Sequence, residues 1–225
     1  FILHDQHSRL LSAEPGAWTF VTMSDEYMLG GTYTGLVLYR KEKGQWVFDR
    51  KLDGLKESCR IMVKDEDQSI WISHPYRGVY NVRWNAGNKD KIDIRFFNQE
   101  NGLPTNLNNY VFQIAGKAVF ATEKGVFHFD RSKDTFVPDD DFNRLLDKQH
   151  RVRYLREDTK GNVWYVTDHE AGMLIVNDFG LKKEVRKKVI PELAGKLVGG
   201  FEFLLPIDGH NMIIGTEQGF IHYAL

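Results

Sequence analysis

The chain has 225 residues, the size of one domain with a substantial core. Its 30 basic and 31 acidic residues leave a net charge of −1, which argues against a nucleic-acid ligand, because phosphate binding needs a basic surplus or stripe. The single cysteine, Cys59, excludes a disulfide within the chain, and no apolar run approaches the roughly 18 residues of a membrane span.

The sequence is built from a repeating unit. A short apolar or aromatic run follows a glycine at intervals of 43 to 47 residues, at Gly35, Gly78, Gly125, Gly172 and Gly219. Periods of this length are typical of repeat architectures, so we predict five units of one fold. Residues 1–4 match the run that follows the glycine. We therefore expect a segment that starts inside a unit and is cut from a longer multidomain chain.

Each unit carries four strand-like runs. They are predicted at 60–63, 70–72, 79–82 and 92–97 in the second unit, and at 110–114, 118–121, 126–129 and 135–137 in the third. Four antiparallel strands in about 40–50 residues are the size of one propeller blade. The predicted fold is all-β, a β-propeller of four-stranded antiparallel blades. About five units over residues 1–225 would form a single segment of a larger propeller.

Three stretches do not fit the pattern of four strands: two are predicted to form helical turns and one is a run of basic residues. Over 138–149, Asp141 fits a helix cap and Phe142, Leu145 and Leu146 would share one face, which predicts a helical turn. A second turn is predicted over 190–197. The basic run 182–188 is interpreted as a solvated edge, since an isolated charge run usually forms an exposed face.

A further motif precedes the glycine in two units. The stretches from Asp65 to Trp71 and from Asp158 through Gly161 to Trp164 each lead from a polar turn into a strand with tryptophan. We expect these five residues to be structural, with the carboxylates holding their turns through backbone N–H groups and the tryptophans filling space between blades. Cys59, beside a predicted strand, is expected to be a buried and unreactive thiol.

These motifs, together with Asn101-Gly102-Leu103-Pro104-Thr105-Asn106, resemble the two-component-regulator propeller repeat. The resemblance covers essentially the whole chain. It implies the periplasmic sensor region of a membrane-bound regulator of a kind common in Bacteroidetes. Such regulators are hybrid histidine kinases or triple-tyrosine regulators with a LuxR-type DNA-binding domain.

In such a propeller, the turn between the second and third strands lies on the same face as the link into the next blade. The spacing from the motif tryptophan, or the residue in its place, to the glycine ranges from five to eight residues, which predicts variable turns on this face. Their mixed chemistry suits a polar ligand such as an oligosaccharide, or a partner domain; for any single residue the alternative is a solvated turn. The residues predicted to bind are Tyr33, Thr34, His74, Tyr76, Arg77, Asn106, Glu123, Lys124, Asp168, His169 and Glu170.

Catalytic and metal sites are weaker hypotheses for the same residues. Asp168, His169 and Glu170 are of metal-binding types, but adjacent residues on a tight turn rarely converge on one ion. Glu170 could form an acid/base pair with Glu123 or Asp168, as glycosidases use, although the sequence fixes no separation between them. No catalytic residue, metal or cofactor is predicted.

The sequence therefore predicts a non-catalytic, extracytoplasmic ligand-sensing propeller of a membrane-bound signal-transduction or transcription regulator. The expected partners are a small polar ligand, such as an oligosaccharide, and either a second copy of the chain or further propeller blades. This segment is expected to contact neither nucleic acid nor membrane. The alternatives are a propeller enzyme, either a polysaccharide lyase or a glycoside hydrolase, and a protein-interaction scaffold.

Overall fold

The computed structural model describes residues 2–4, 7–85, 87–146, 150–179, 182–208 and 210–224, and these form mainly antiparallel strands. A hairpin of β1 (Ile2–His4) and β2 (His7–Arg9) comes first. Blade 1 follows, with β3 (Thr19–Thr22), β4 (Tyr27–Thr32), β5 (Gly35–Glu42) and β6 (Gln45–Leu52). Blade 2 has β7 (Ile61–Lys64), β8 (Ile70–His74), β9 (Gly78–Asn85) and β10 (Asn88–Phe97).

Blade 3 has β11 (Tyr110–Ile114), β12 (Lys117–Thr122), β13 (Gly125–Asp130) and β14 (Thr135–Pro138). Blade 4 has β15 (Val152–Glu157), β16 (Val163–Thr167), β17 (Ala171–Phe179) and β18 (Lys182–Val189). Blade 5 has β19 (Phe203–Pro206), β20 (Asn211–Thr216) and β21 (Gly219–Ala224). Helix α1 (Asp140–Leu146) and two 3-10 helices (Gln99–Asn101 and Pro191–Leu193) lie between blades.

The five blades form a β-propeller. The first strand of every blade lines one central channel of about 970 Å³, so β3, β7, β11, β15 and β19 are the innermost strands. In each blade the following strands pair in chain order, each antiparallel to the one before. The predicted all-β propeller is confirmed, with three strands in blade 5 among the described residues. The basic run 182–188 lies in β18, the outer edge strand of blade 4.

Apolar packing between blades holds the ring together. The described residues contain four buried clusters, and each joins two consecutive blades, from blades 1 and 2 to blades 4 and 5. A single sheet cannot bury its own faces, so each blade depends on its neighbour for a core. Cys59 is fully buried in the first cluster, and burial raises the pKa of its thiol to about 12.

Trp71 anchors the interface between blades 2 and 3. Its indole is 2% exposed and contacts Phe97 of its own blade together with Phe120 and Phe136 of the next, at ring centroid distances of 5.2 to 5.7 Å. Trp164 has the same position between blades 4 and 5, where it meets the ring of Tyr223 at 5.6 Å.

The motif aspartates accept hydrogen bonds from their own turns. Asp158 accepts from the backbone N–H groups of Lys160 and Asn162, both at 2.9 Å, and from the Trp164 indole at 3.4 Å. Gly161, at a φ of +79°, gives this turn its left-handed residue.

Asp65 does more, because its carboxylate also reaches the next blade. It accepts from its own turn at Glu66 and from the Trp71 indole, at 2.9 and 3.0 Å. It also accepts from the Ala118 backbone N–H at 3.0 Å and pairs with the Arg131 guanidinium at 2.6 Å, both in blade 3.

Two local predictions are wrong. Helix α1 begins at Asp140 and its cap is Asp139, which accepts from the Phe142 backbone N–H at 3.2 Å; Asp141 lies within the helix. In blade 4, Gly172 is the second residue of β17 and does not mark the turn. A Cβ at Gly172 would lie 2.3 Å from the carbonyl of Lys188, so close packing between strands requires this glycine.

We expect Trp71→Ala to lower the free energy of unfolding by about 3–5 kcal/mol, because it removes the largest side chain of a buried aromatic cluster. Trp46→Ala is the matched control, since Trp46 is half-exposed on β6 and should cost about 1 kcal/mol or less. Urea unfolding measures both. Similar losses in the two variants would contradict the interblade role of Trp71.

Asp65→Asn should cost about 2–3 kcal/mol, because it uncouples a nearly buried carboxylate from a cation of the next blade. Asp158→Asn should cost about 1 kcal/mol, since the hydrogen bonds that it weakens lie within one turn. Arg131→Gln provides the cross-check, and its effect should not add to that of Asp65→Asn. Equal losses for the two aspartates in urea unfolding would refute the interblade contribution of Asp65.

Candidate functional site

The turns between second and third strands and the links into first strands lie on one face, called here the turn face. Backbone hydrogen bonds join them directly: Asn108 N–H donates to the Pro75 carbonyl at 2.9 Å, and Gly125 N–H donates to the His150 carbonyl at 3.1 Å. The Tyr33 N–H likewise donates to the Pro15 carbonyl at 3.4 Å. Backbone hydrogen bonds thus connect turns to links on the turn face.

A threonine hydroxyl shapes four of the five turns. At Thr32, Thr122, Thr167 and Thr216 the hydroxyl donates to the carbonyl three residues on, at 2.8 to 3.2 Å, and accepts from the N–H two residues on. In blade 4 the partner carbonyl is that of Glu170, in the position that glycine has elsewhere. The predicted variation in turn length is therefore wrong for blade 4, because Thr167 to Glu170 spans the same length as Thr32 to Gly35.

The candidate residues of blades 1 and 2 lie around two carboxylates. Tyr33 is half-exposed and meets Trp18 edge-to-face at 5.3 Å, while the Thr34 hydroxyl accepts from Lys51 at 2.7 Å; that lysine also binds Glu14.

Glu57 binds the side chains of both His74 and Arg77, at 3.4 and 2.5 Å. Tyr76, between them in sequence, is 74% exposed. Burial lowers the pKa of His74 and Arg77 lowers it further, against the opposing effect of the Glu57 carboxylate.

In blade 3 the candidates divide between loop structure and open surface. The Asn106 side-chain oxygen accepts from the Gln99 backbone N–H at 2.8 Å, so it holds the link together. Glu123 accepts from the Asn108 side chain at 2.8 Å, and Lys124 is exposed.

In blade 4, the ring of His169 meets that of His150 at a centroid distance of 4.4 Å, and Asp168 beside it is exposed. Glu170 accepts from the Tyr165 hydroxyl at 3.0 Å and pairs with Lys187. Burial and the Glu170 charge raise the pKa of Tyr165. No group of three His, Cys, Asp or Glu side chains that could hold a metal ion occurs among the residues the structure describes.

A second set of residues, which sequence analysis missed, surrounds the entrance of the central channel on the turn face. This channel mouth consists of Trp18, Arg60, Arg153, Phe201 and Glu202. The Arg60 guanidinium lies 4.6 Å from the Phe201 ring centroid and 5.3 Å from that of Trp18, and it donates to the Gly200 carbonyl at 3.2 Å.

The other two residues of the mouth form a buried ion pair. Arg153 Nε donates to Glu202 Oε1 at 2.6 Å, and the Glu202 side chain is 3% exposed. Trp18, Arg60 and Glu202 each stand immediately before a first strand. Comparing that position among the units would have identified them from the sequence.

Comparison with solved structures identifies the same fold in signalling proteins. The chain superposes with a TM-score of 0.59 and 18% identity on the extracellular domain of a protein assigned as a hybrid two-component system of B. thetaiotaomicron, over 92% of this chain and 27% of that one. A second such domain, assigned to a one-component system of B. thetaiotaomicron, gives 0.51 and 16%, over 92% and 32%. The chain thus spans about a quarter to a third of the length of these two extracellular domains. The predicted resemblance is confirmed at the level of the fold.

The same architecture also occurs in an enzyme. Virginiamycin B lyase from Staphylococcus aureus superposes with a TM-score of 0.54 and 11% identity, over 96% of this chain and 72% of that one. No protein-family model matches the chain, and no curated protein matches it closely enough to be a relative. Within the described residues, none of the helices has the length and apolar character needed to cross a membrane.

The environment of His74 gives a test of the turn face. We expect its pKa, followed by NMR, to lie below the ordinary histidine value of about 6.5. Glu57→Gln should lower it further and Arg77→Gln should raise it, because these neighbours act in opposite directions. The folded state disfavours the charged ring, so this group's contribution to stability is lost as pH falls through and below the ordinary range. Shifts of the opposite sign would show that Glu57 and Arg77 lie elsewhere.

Proposed function

We propose that this chain is the extracytoplasmic ligand-sensing propeller of a membrane-bound bacterial signalling protein, and that it binds its ligand without chemical conversion. The observation that carries the proposal is the turn face on a fold shared with extracellular domains of signalling proteins. Exposed side chains there stand on short turns whose backbones are fixed by hydrogen bonds and by the blades below them. A rigid frame with variable surface groups is how loop-based binding sites are built.

The chemistry of the face favours a polar ligand with some apolar surface. Tyr76, which is 74% exposed, and Tyr33 offer aromatic rings, while His74 and Arg77, near Tyr76 in the sequence, offer hydrogen-bond donors. Pockets that fix small ligands combine apolar contact with a few placed polar groups. An oligosaccharide has both apolar C–H faces and hydroxyl groups, so it is the ligand class proposed here.

Binding on the turn face can be converted into a signal, because the contacts of this face connect more than one blade. Glu57 lies in the link between blades 1 and 2 and holds His74 and Arg77 of blade 2, while Asn108 before blade 3 bonds to the blade 2 turn. A ligand that favours one arrangement of these links would shift the packing of blades against each other. It can do so only by its difference in affinity between the two arrangements.

The proposal predicts binding without turnover. In a screen of soluble oligosaccharides by calorimetry, we expect one class to bind and to be recovered chemically unchanged, as followed by mass spectrometry. Tyr76→Ala should weaken that binding about tenfold or more, because an exposed aromatic contact is removed while its neighbours remain. Phe48→Ala is the control, since Phe48 is an exposed aromatic on the outer strand β6.

Two outcomes would overturn it. Time-dependent formation of a product would assign the chain to the propeller enzymes instead. Binding that is unchanged in Tyr76→Ala but lost in Phe48→Ala would move the ligand away from the turn face.

A further inference from the structure

Positively charged side chains outnumber carboxylates in the lining of the central channel. The lining contains four cations (Arg60, Lys64, Arg153 and Arg156) and three carboxylates (Glu157, Asp158 and Glu202). The whole chain has a net charge of −1, so the excess of cations in the channel lining differs in sign from the charge of the chain.

The carboxylates are all bonded within the protein. Glu202 pairs with Arg153, Glu157 accepts from the Ala115 backbone N–H at 2.8 Å, and Asp158 is used by its own turn. Among the described residues, Arg60, Lys64 and Arg156 have no carboxylate partner. The lining thus carries one more cation than carboxylates, and low-dielectric walls strengthen the field of that excess charge.

Arg60 is the cation of the channel mouth, and its position is fixed. Its backbone carbonyl accepts from the Thr19 hydroxyl at 2.6 Å, which ties it to blade 1. Its guanidinium is held between two aromatic rings and uses one donor on the Gly200 carbonyl. The remaining N–H groups form the planar fork that matches a carboxylate with two parallel hydrogen bonds.

The aromatic rings beside Arg60 suit a sugar. Phe201 is 66% exposed and Trp18 is 44% exposed, so both present ring surface at the mouth. The C–H groups on one face of a pyranose carry partial positive charge and pack on the negative face of an aromatic ring. The cavity of about 970 Å³ is within the range of small-ligand sites, and it has room for the end of an oligosaccharide.

We propose that the channel mouth binds a uronate-containing saccharide, with Arg60 holding the sugar carboxylate and Trp18 and Phe201 flanking the ring. This proposal rests on the proposed sensing function and adds to it a second subsite on the same face, specific for an acidic sugar. The carboxylate balances the excess cation of the channel lining, and the Arg153–Glu202 ion pair forms a neutral wall beside it. Arg60 is thereby a specificity residue for acidic over neutral sugars.

The test compares the binding of an acidic sugar with the binding of its uncharged methyl ester. Calorimetry on the wild-type chain uses oligosaccharides of galacturonate, glucuronate and mannuronate, each paired with its methyl ester, which removes the charge and keeps the skeleton. We expect at least one free acid to bind at least about tenfold more tightly than its ester, because the ester loses a hydrogen bond between two charged groups. Its affinity should fall as NaCl is raised.

Variants then locate the site. Arg60→Gln should abolish the preference for the acid, and Arg60→Lys should restore it in part, because the charge returns without the fork. Arg144→Gln makes the same change on exposed α1 and should leave the preference intact. Phe201→Ala, at an exposed position, should weaken binding of the acid without lowering the melting temperature.

Three results would overturn the inference: no uronate binds, acid and ester bind equally, or the preference survives Arg60→Gln. They are distinguishable from failure of the proposed function, since neutral oligosaccharides are screened in the same series. A neutral sugar that binds and depends on Tyr76 but not on Arg60 would retain the sensing propeller and refute the acidic site.

Discussion

The carboxylate of Asp65 connects the turn, the aromatic core and the neighbouring blade. It accepts from its own turn, orients the Trp71 indole within the interface, and binds both a backbone N–H and an arginine of blade 3. Because hydrogen bonds are directional, this one group fixes the rotation of blade 3 against blade 2, which apolar packing alone would leave loose. The turn face depends on that register, since its links bridge the same blades.

Local features of the sequence predicted the fold well, because a blade is made by interactions between near neighbours. Trp71 lies six positions after Asp65, and a hydrogen bond joins them, so the motif is visible without the rest of the chain. The predictions from sequence are wrong where a residue type suggests one role and the backbone geometry gives that role to another residue. Gly172 was assigned to a turn by its identity, whereas the threonine hydroxyls define the turns and place Glu170 there. Likewise three successive aspartates could each cap α1, and only backbone geometry selects Asp139.

The two parts of the candidate site differ in how far sequence could identify them. The turn face follows from the blade order, so its residues could be named once the repeat was recognised. For the channel mouth, the position before each first strand identifies Trp18, Arg60 and Glu202, but the sequence does not show which side chains meet there. Arg60 and Gly200 are 140 residues apart, and only the curvature of the whole ring brings them within a hydrogen bond. That curvature is the sum of four interblade packings, each set by side-chain shapes that no local pattern encodes.

The ring is packed unevenly, because the described residues contain no buried cluster that joins blades 5 and 1. Consecutive blades share buried clusters, whereas Phe20 of blade 1 and Phe203, Leu205 and Phe220 of blade 5 remain exposed. Arg60 reaches blade 5 through one hydrogen bond and one ring contact. The remaining N–H donors of Arg60 therefore lie next to this single hydrogen bond to blade 5. Separating blades that share a cluster would expose apolar side chains at a cost of several kcal/mol, whereas the contacts between Arg60 and blade 5 are few, so a shift between blades 5 and 1 costs least.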